Sequence, residues 1–351
     1  MKRALLLAAC LLLLTGCSHT YLERQIYPIC LSIDLTDDGR YQLGLQAPQS
    51  ANGGSTGYDV LSAAGETPMD ALRVLAASIP YPLNFSQIRL CLISYELASQ
   101  QPLLPLLRGL LQLPTMRPNA YVMTAMGSAL EVMTAQKPDL GMRLSTHLNL
   151  LFERLRREQT LPDSTLSTCV RELGDGRSDF LLCLCAVNTR LQNEKSEQQP
   201  TQPGGDAGGA SAAFAVGEPW SDALLPEDIL AGMMPRTSLN PVEYVGSAAV
   251  SDGLVCGVLT ARETQLAVRV LHSAKLRTSV KGGLQLQVIL PRSGELDGCE
   301  GEITALIRRL QAMGSDALTF GRIASMAFAT DAAWQAYDFR SLYPQAETAV
   351  R

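Results

Sequence analysis

Val245-Gly246-Ser247-Ala248-Ala249-Val250-Ser251-Asp252-Gly253-Leu254-Val255-Cys256-Gly257-Val258-Leu259-Thr260-Ala261-Arg262-Glu263 reads as a strand, a turn, a second strand and the start of a helix. Two runs of small and branched apolar residues flank Ser251-Asp252-Gly253, which is hairpin chemistry. Thr260 and Glu263 then stand three apart, the spacing at which a threonine hydroxyl and a glutamate carboxylate cap each other's backbone N–H groups. Downstream, strands are expected around Thr278–Val280 and Leu284–Leu290. Ile303, Leu306, Ile307, Leu310 and Met313 follow on one stripe of an amphipathic helix.

The same alternation appears upstream. Ile29, Leu31 and Ile33, the turn Asp37-Asp38-Gly39, and Tyr41, Leu43 and Leu45 form a first hairpin, with a third strand over Tyr58–Ala64. Thr67-Pro68-Met69-Asp70 opens a helix, with Thr67 as its cap and Pro68 at its first position. Ile88–Ile93, Tyr121–Ala125 and Phe180–Val187 are short apolar strands, and Leu140–Glu158 a long helix ending in charge. Between Leu191 and Ala213 the chain turns to Gln, Glu, Ser, Pro and Gly, a composition that cannot bury enough surface to offset its ordering entropy. Hairpins and helices with no regular βαβ rhythm predict an α+β class, with mixed, largely antiparallel sheets and packed helices in two or three domains. The expected boundaries are a leader at 1–16, an N-terminal region at 17–190, a linker or disordered loop at 191–217, and a C-terminal domain at 218–351.

The leader rests on Lys2-Arg3, the apolar run Ala4–Leu14 and Leu14-Thr15-Gly16-Cys17. A membrane span takes roughly 20 residues, so the apolar run is the core of a cleaved signal. A cysteine directly after Thr15-Gly16 is the lipobox pattern, in which the thiol receives a diacylglyceryl group and the chain is cut between Gly16 and Cys17. Two acyl chains give stable anchoring. Loss of Lys2 and Arg3 from 29 basic residues leaves 27 against 34 acidic ones. That balance argues against nucleic acid, which needs clustered cations.

The inventory for catalysis is thin. The histidines are His19, His147 and His272, and no nucleophile elbow, zinc signature or phosphate-binding glycine loop is present. Gly53-Gly54 lies in a loop. His272, at a helix end, is placed to meet terminal carbonyls. Arg154, Arg156 and Arg157 form a basic helical end. Cys30, Cys91, Cys169, Cys183, Cys185, Cys256 and Cys299 are odd in number and mostly sit in apolar runs, which predicts buried thiols without a disulfide framework or a metal site. No metal is expected, and no cofactor beyond the lipid on Cys17.

Ser315-Asp316-Ala317-Leu318-Thr319-Phe320-Gly321-Arg322, then Trp334, Tyr337-Asp338-Phe339 and Tyr343-Pro344, resembles the C-terminal motif of the Ger(x)C family, the lipoprotein C subunits of spore germinant receptors. Ala248–Gly257 with Glu263, Tyr81–Gln87 through Ala98, Arg117–Val122 and the lipobox are similar to other family segments in the same order. Gln87 departs from the pattern, standing where relatives often carry histidine, and the last strand looks short. The resemblance implies a non-enzymatic subunit on the outer surface of the spore inner membrane, working with integral-membrane A and B subunits in nutrient sensing. It implies structural roles for Asp316 as a brace, Gly321 as a close turn, and Phe320 and Trp334 as buried aromatics. The alternatives are a lipid-anchored solute-binding protein, which needs two α/β lobes and a cleft, and an exported hydrolase, which needs a visible catalytic set. Cys17→Ala is expected to abolish metabolic lipid labelling and release the chain from membranes in fractionation; labelling that survives the change refutes the anchor.

Overall fold

The computed structural model describes residues 24–49, 57–136, 142–187 and 242–351. The expected leader, Cys17 and the expected linker at 191–217 lie outside them. Strands β1 (Cys30–Leu35) and β2 (Tyr41–Pro48) form the first hairpin, pairing Ile33 with Leu43. Gly39 at φ 78° closes its turn, and Thr36 N–H donates to the Arg40 carbonyl at 2.9 Å. Strand β3 (Tyr58–Gly65) pairs antiparallel with β2, and helix α1 (Pro68–Ala77) starts where expected, with Thr67 accepting the Asp70 N–H.

From there the chain builds a parallel centre. Strand β4 (Leu90–Ser94) lies beside β1 and runs parallel to it. Helices α2 (Tyr95–Gln100) and α3 (Leu103–Leu111) carry the chain across to β5 (Tyr121–Ala125), parallel to β4. Helices α4 (Ala129–Ala135), α5 (Leu144–Arg157) and α6 (Leu166–Asp175) then lead to β6 (Leu181–Val187), parallel to β5. The expectation of no βαβ rhythm is corrected here: two parallel crossovers sit between hairpins. Their strands are short runs such as Leu90-Cys91-Leu92-Ile93, buried on both faces, and such runs have no alternation to read.

Strand β7 (Val242–Ser251) pairs antiparallel with β6, and β8 (Leu254–Leu259) pairs antiparallel with β7. The sheet order is therefore β3-β2-β1-β4-β5-β6-β7-β8. It is continuous across the boundary expected between N- and C-terminal regions. Helix α7 (Ala261–Ser273) begins at the Thr260–Glu263 capping box and is followed by β9 (Lys275–Ser279) and β10 (Gln285–Ile289). Helix α8 (Glu300–Met313) precedes three short helices, α9 (Phe320–Ser325), α10 (Asp331–Tyr337) and α11 (Phe339–Leu342). Strand β11 (Glu347–Val350) is short, as expected, and runs parallel to β10 at the edge of a three-stranded sheet β11-β10-β9. Mixed sheets with antiparallel pairs at both margins and packed helices give the α+β class expected.

Strand β6 is where the cores meet. Leu182 and Leu184 join a cluster with Leu31, Ile93 and Val122, while Cys183 and Cys185 face the opposite side with Met123, Met133 and Phe152. Leu181 belongs to the C-terminal core with Leu266, Leu306 and Phe320. Cys30, Cys91, Cys169, Cys183 and Cys185 are buried, Cys256 is exposed and Cys299 intermediate. Burial pushes the Cys91 and Cys183 thiols up to about 12, far from the reactive thiolate. With a maleimide probe on the native protein, Cys256 and Cys299 should be labelled and the other five should react after unfolding without reductant. Labelling of those five in the native state contradicts the packing, and failure after unfolding reveals a disulfide.

Candidate functional site

The sequence motif Asp316–Trp334 lands on the joint between the C-terminal helices and the large sheet. Gly314, at φ 71°, ends α8, and Ser315 is fully buried with its hydroxyl donating to the Val250 carbonyl at 2.6 Å. Thr319 then adopts φ 65° and supplies no side-chain cap to α9. Asp316 does this instead: Oδ1 accepts the Phe320 N–H at 2.9 Å and Oδ2 the Gly321 N–H at 2.6 Å. Its own N–H donates to Asp179 Oδ2 at 2.9 Å, and Asp179 N–H returns a bond to the Asp316 carbonyl at 3.3 Å. Asp316 thus ties the loop after α8 to the start of α9 and to Asp179. Burial pushes the Asp316 carboxyl well above the ordinary aspartate range and Asp179 adds to the rise, while the two N–H donors and Arg340 oppose it.

Gly321 has no room for a side chain. A Cβ there would lie 2.3 Å from the Arg177 carbonyl oxygen and 2.9 Å from Phe339. The requirement is close approach of two backbones. Phe320 is fully buried in the C-terminal core. Trp334 corrects an expectation: it is half-buried, in a helix with no buried residue. Its ring lies 5.7 Å from Phe328, 6.4 Å from Tyr337 and 5.6 Å from Phe339, which in turn lies 5.5 Å from Tyr343. The physical reason is that α10 lies over the outside of the core, its Trp334 ring covering the buried Phe339, and does not insert into the sheet.

Residues that the sequence reading did not single out complete the site. Asp179 also accepts from the Asp252 N–H at 3.2 Å and from Arg340 Nη2 at 3.0 Å. Glu172, buried on α6, pairs with Arg322 and accepts from the Ser178 hydroxyl at 3.1 Å; Arg322 also lies 3.5 Å from Asp175. Arg177 meets Asp331 at 2.5 Å. One signal was available: Asp179 directly precedes the apolar run from Phe180, and a carboxylate at the mouth of a buried strand needs donors. The donors stand more than seventy positions away, where no spacing rule reaches. Between 176–179 and 314–343 lies a cavity of about 150 Å³, bordered by Asp179, Asp316, Trp334, Phe339, Arg340 and Tyr343.

The remaining candidates sit elsewhere. His272 Nδ1 lies 2.8 Å from the Val268 carbonyl, the helix-end contact expected. Arg154 pairs with Glu158 and Arg157 with Glu153 along α5, as on a solvated helical end. Among the described residues no group of three His, Cys, Asp or Glu side chains could hold a metal ion.

An antiparallel hairpin, a parallel buried centre and a second hairpin added through β6 define a mixed α+β protein whose C-terminal motif locks onto its sheet. Residues 18–187 match the family described as the spore germination protein N-terminal domain. That stretch is thus a spore germination protein N-terminal domain, in keeping with the Ger(x)C resemblance of the sequence. The match ends at the last residue of β6, so the Asp316–Trp334 motif lies beyond it. A solved structure of the GerBC protein is similar at a TM-score of 0.44 and 11% identity, over 91% of this chain and 94% of that one. No curated protein matches the chain in sequence.

Gly321→Ala should destabilise the protein by about 1–3 kcal/mol in urea titrations, since backbone must move to admit the methyl group. Asp316 supplies a pH signature. Its folded pKa lies above the unfolded value of about 4, so the unfolded chain releases the proton first and this group's contribution falls as pH rises from there. The stability advantage of the wild type over Asp316→Asn should shrink as pH rises above about 4; an advantage that grows with pH contradicts the burial argument.

Proposed function

We propose that this protein is a lipid-anchored C subunit of a nutrient germinant receptor, held by Cys17 at the outer surface of the spore inner membrane, and that it acts without turning over a substrate. The observation that carries the reading is the family match beginning at residue 18, immediately after the cysteine of the lipobox. Among the described residues no helix is long and apolar enough to cross a membrane; in this reading the chain is held through Cys17 and through partners. The partners are the integral-membrane A and B subunits of the receptor. A solute-binding protein is less well supported, because the described strands form one continuous sheet of eight and a small one of three, in place of two α/β lobes.

Affinity capture of the full-length protein from spore membranes should bring down both integral-membrane subunits. Spores lacking the protein should respond slowly or not at all to at least one nutrient, yet germinate normally with agents that bypass the receptors. Normal responses to every nutrient, in a strain with no redundant homologue, refute the assignment.

A further inference from the structure

The cavity behind Trp334 has features that the clasp itself does not use. Tyr343 borders it with 1% of its surface exposed, and its hydroxyl has no hydrogen-bond partner among the described residues. A buried hydroxyl left unpaired costs about 1–3 kcal/mol, so such a group invites a partner. The Asp316 carboxylate spends two of its roughly four acceptor sites on Phe320 and Gly321. Neither Asp316 nor Asp338, which also borders the cavity, has an ion-pair partner among the described residues. The two bordering cations are occupied: Arg340 by Asp179, and Arg177 by Asp331 and Asp175.

With both bordering cations committed to carboxylates, neither is free to receive an anion, whereas a cation beside Asp316 draws the proton from its carboxyl and holds it ionised. Trp334 and Phe339, with ring centres 5.6 Å apart, add aromatic wall that attracts cations through the ring quadrupole. A cavity of about 150 Å³ accommodates a benzene-sized molecule. We propose that this cavity binds a small organic cation carrying a primary ammonium group, with the nitrogen on the Asp316 carboxylate and the Tyr343 hydroxyl oxygen and the apolar part against Trp334 and Phe339. Because the cavity is bordered by 176–179 on one side and 314–343 on the other, an occupant bridges the two segments and stabilises the folded chain by mass action. The proposal goes beyond the germination reading and does not depend on it.

Trp220→Phe leaves Trp334 as the single tryptophan, so emission from the full-length chain reports on the cavity. Titration with isobutylammonium should change that emission saturably and raise the thermal midpoint. Isobutanol and isobutyrate, of similar shape but neutral and anionic, should do so at least tenfold more weakly. Tyr343→Phe should fold as well as the parent, because it removes an unpaired hydroxyl, and should weaken isobutylammonium binding roughly tenfold. Asp338→Asn, at the exposed rim, gives a second variant that should weaken it several-fold with the fold intact. A response to isobutanol or isobutyrate equal to that of the ammonium overturns the proposal. So does the absence of any saturable change, or unchanged affinity in both variants.

Discussion

The buried carboxylate of Asp179 is the interaction on which the joint between the large sheet and the C-terminal helices depends. It receives the N–H of Asp252 from the β7–β8 turn, the N–H of Asp316 from the loop after α8, and both terminal nitrogens of Arg340 from α11. Removing one partner from a buried charge typically costs about 3–5 kcal/mol, because the charge stays behind unsolvated. With its side chain 3% exposed, Asp179 has little access to water as a substitute. The turn, the loop and the helix must all arrive for this group to be satisfied, which couples their folding to the entry of β6 into the sheet.

Around that centre the polar contacts divide by burial. Glu172 and Asp316 are nearly inaccessible, and each has both carboxylate oxygens engaged by donors. Arg177 and Asp331 sit further out, where water screens the pair and its contribution falls to about 1 kcal/mol or less. The clasp thus has a dry interior that sets its geometry and a wet margin that adjusts its electrostatics. The absence of room at Gly321 belongs to the interior: the segment beginning α9 reaches the Arg177 carbonyl only because nothing projects from it.

Legibility of the fold from sequence followed the range of the interactions. Hairpins announced by Asp-Gly turns, the Thr67 and Thr260 caps and the stripe Ile303–Met313 all depend on neighbours within a few residues, and each was found as read. The parallel centre depends on β4, β5 and β6 being covered on both faces, a condition that erases the alternation by which strands are recognised. The site divided in the same way. Asp316 and Gly321 stood out in a local motif, whereas Asp179, Glu172 and Arg340 acquire meaning from contacts across the chain. Trp334 was legible as a residue of note but not in its burial, since a tryptophan in a short amphipathic helix can face either side.

The register of β6 with β7 places Val187 directly opposite Val242. The chain therefore departs from the sheet and rejoins it at adjacent strands, roughly 5 Å apart. The ends of the intervening segment are fixed by that pair whatever its composition, and the closure term grows only with the logarithm of its length, about 0.6 kcal/mol for each doubling. Residues can be gained or lost there at little thermodynamic consequence for either core. The β6–β7 junction is in effect a port in the fold: a place where chain length can change without renegotiating the packing on either side.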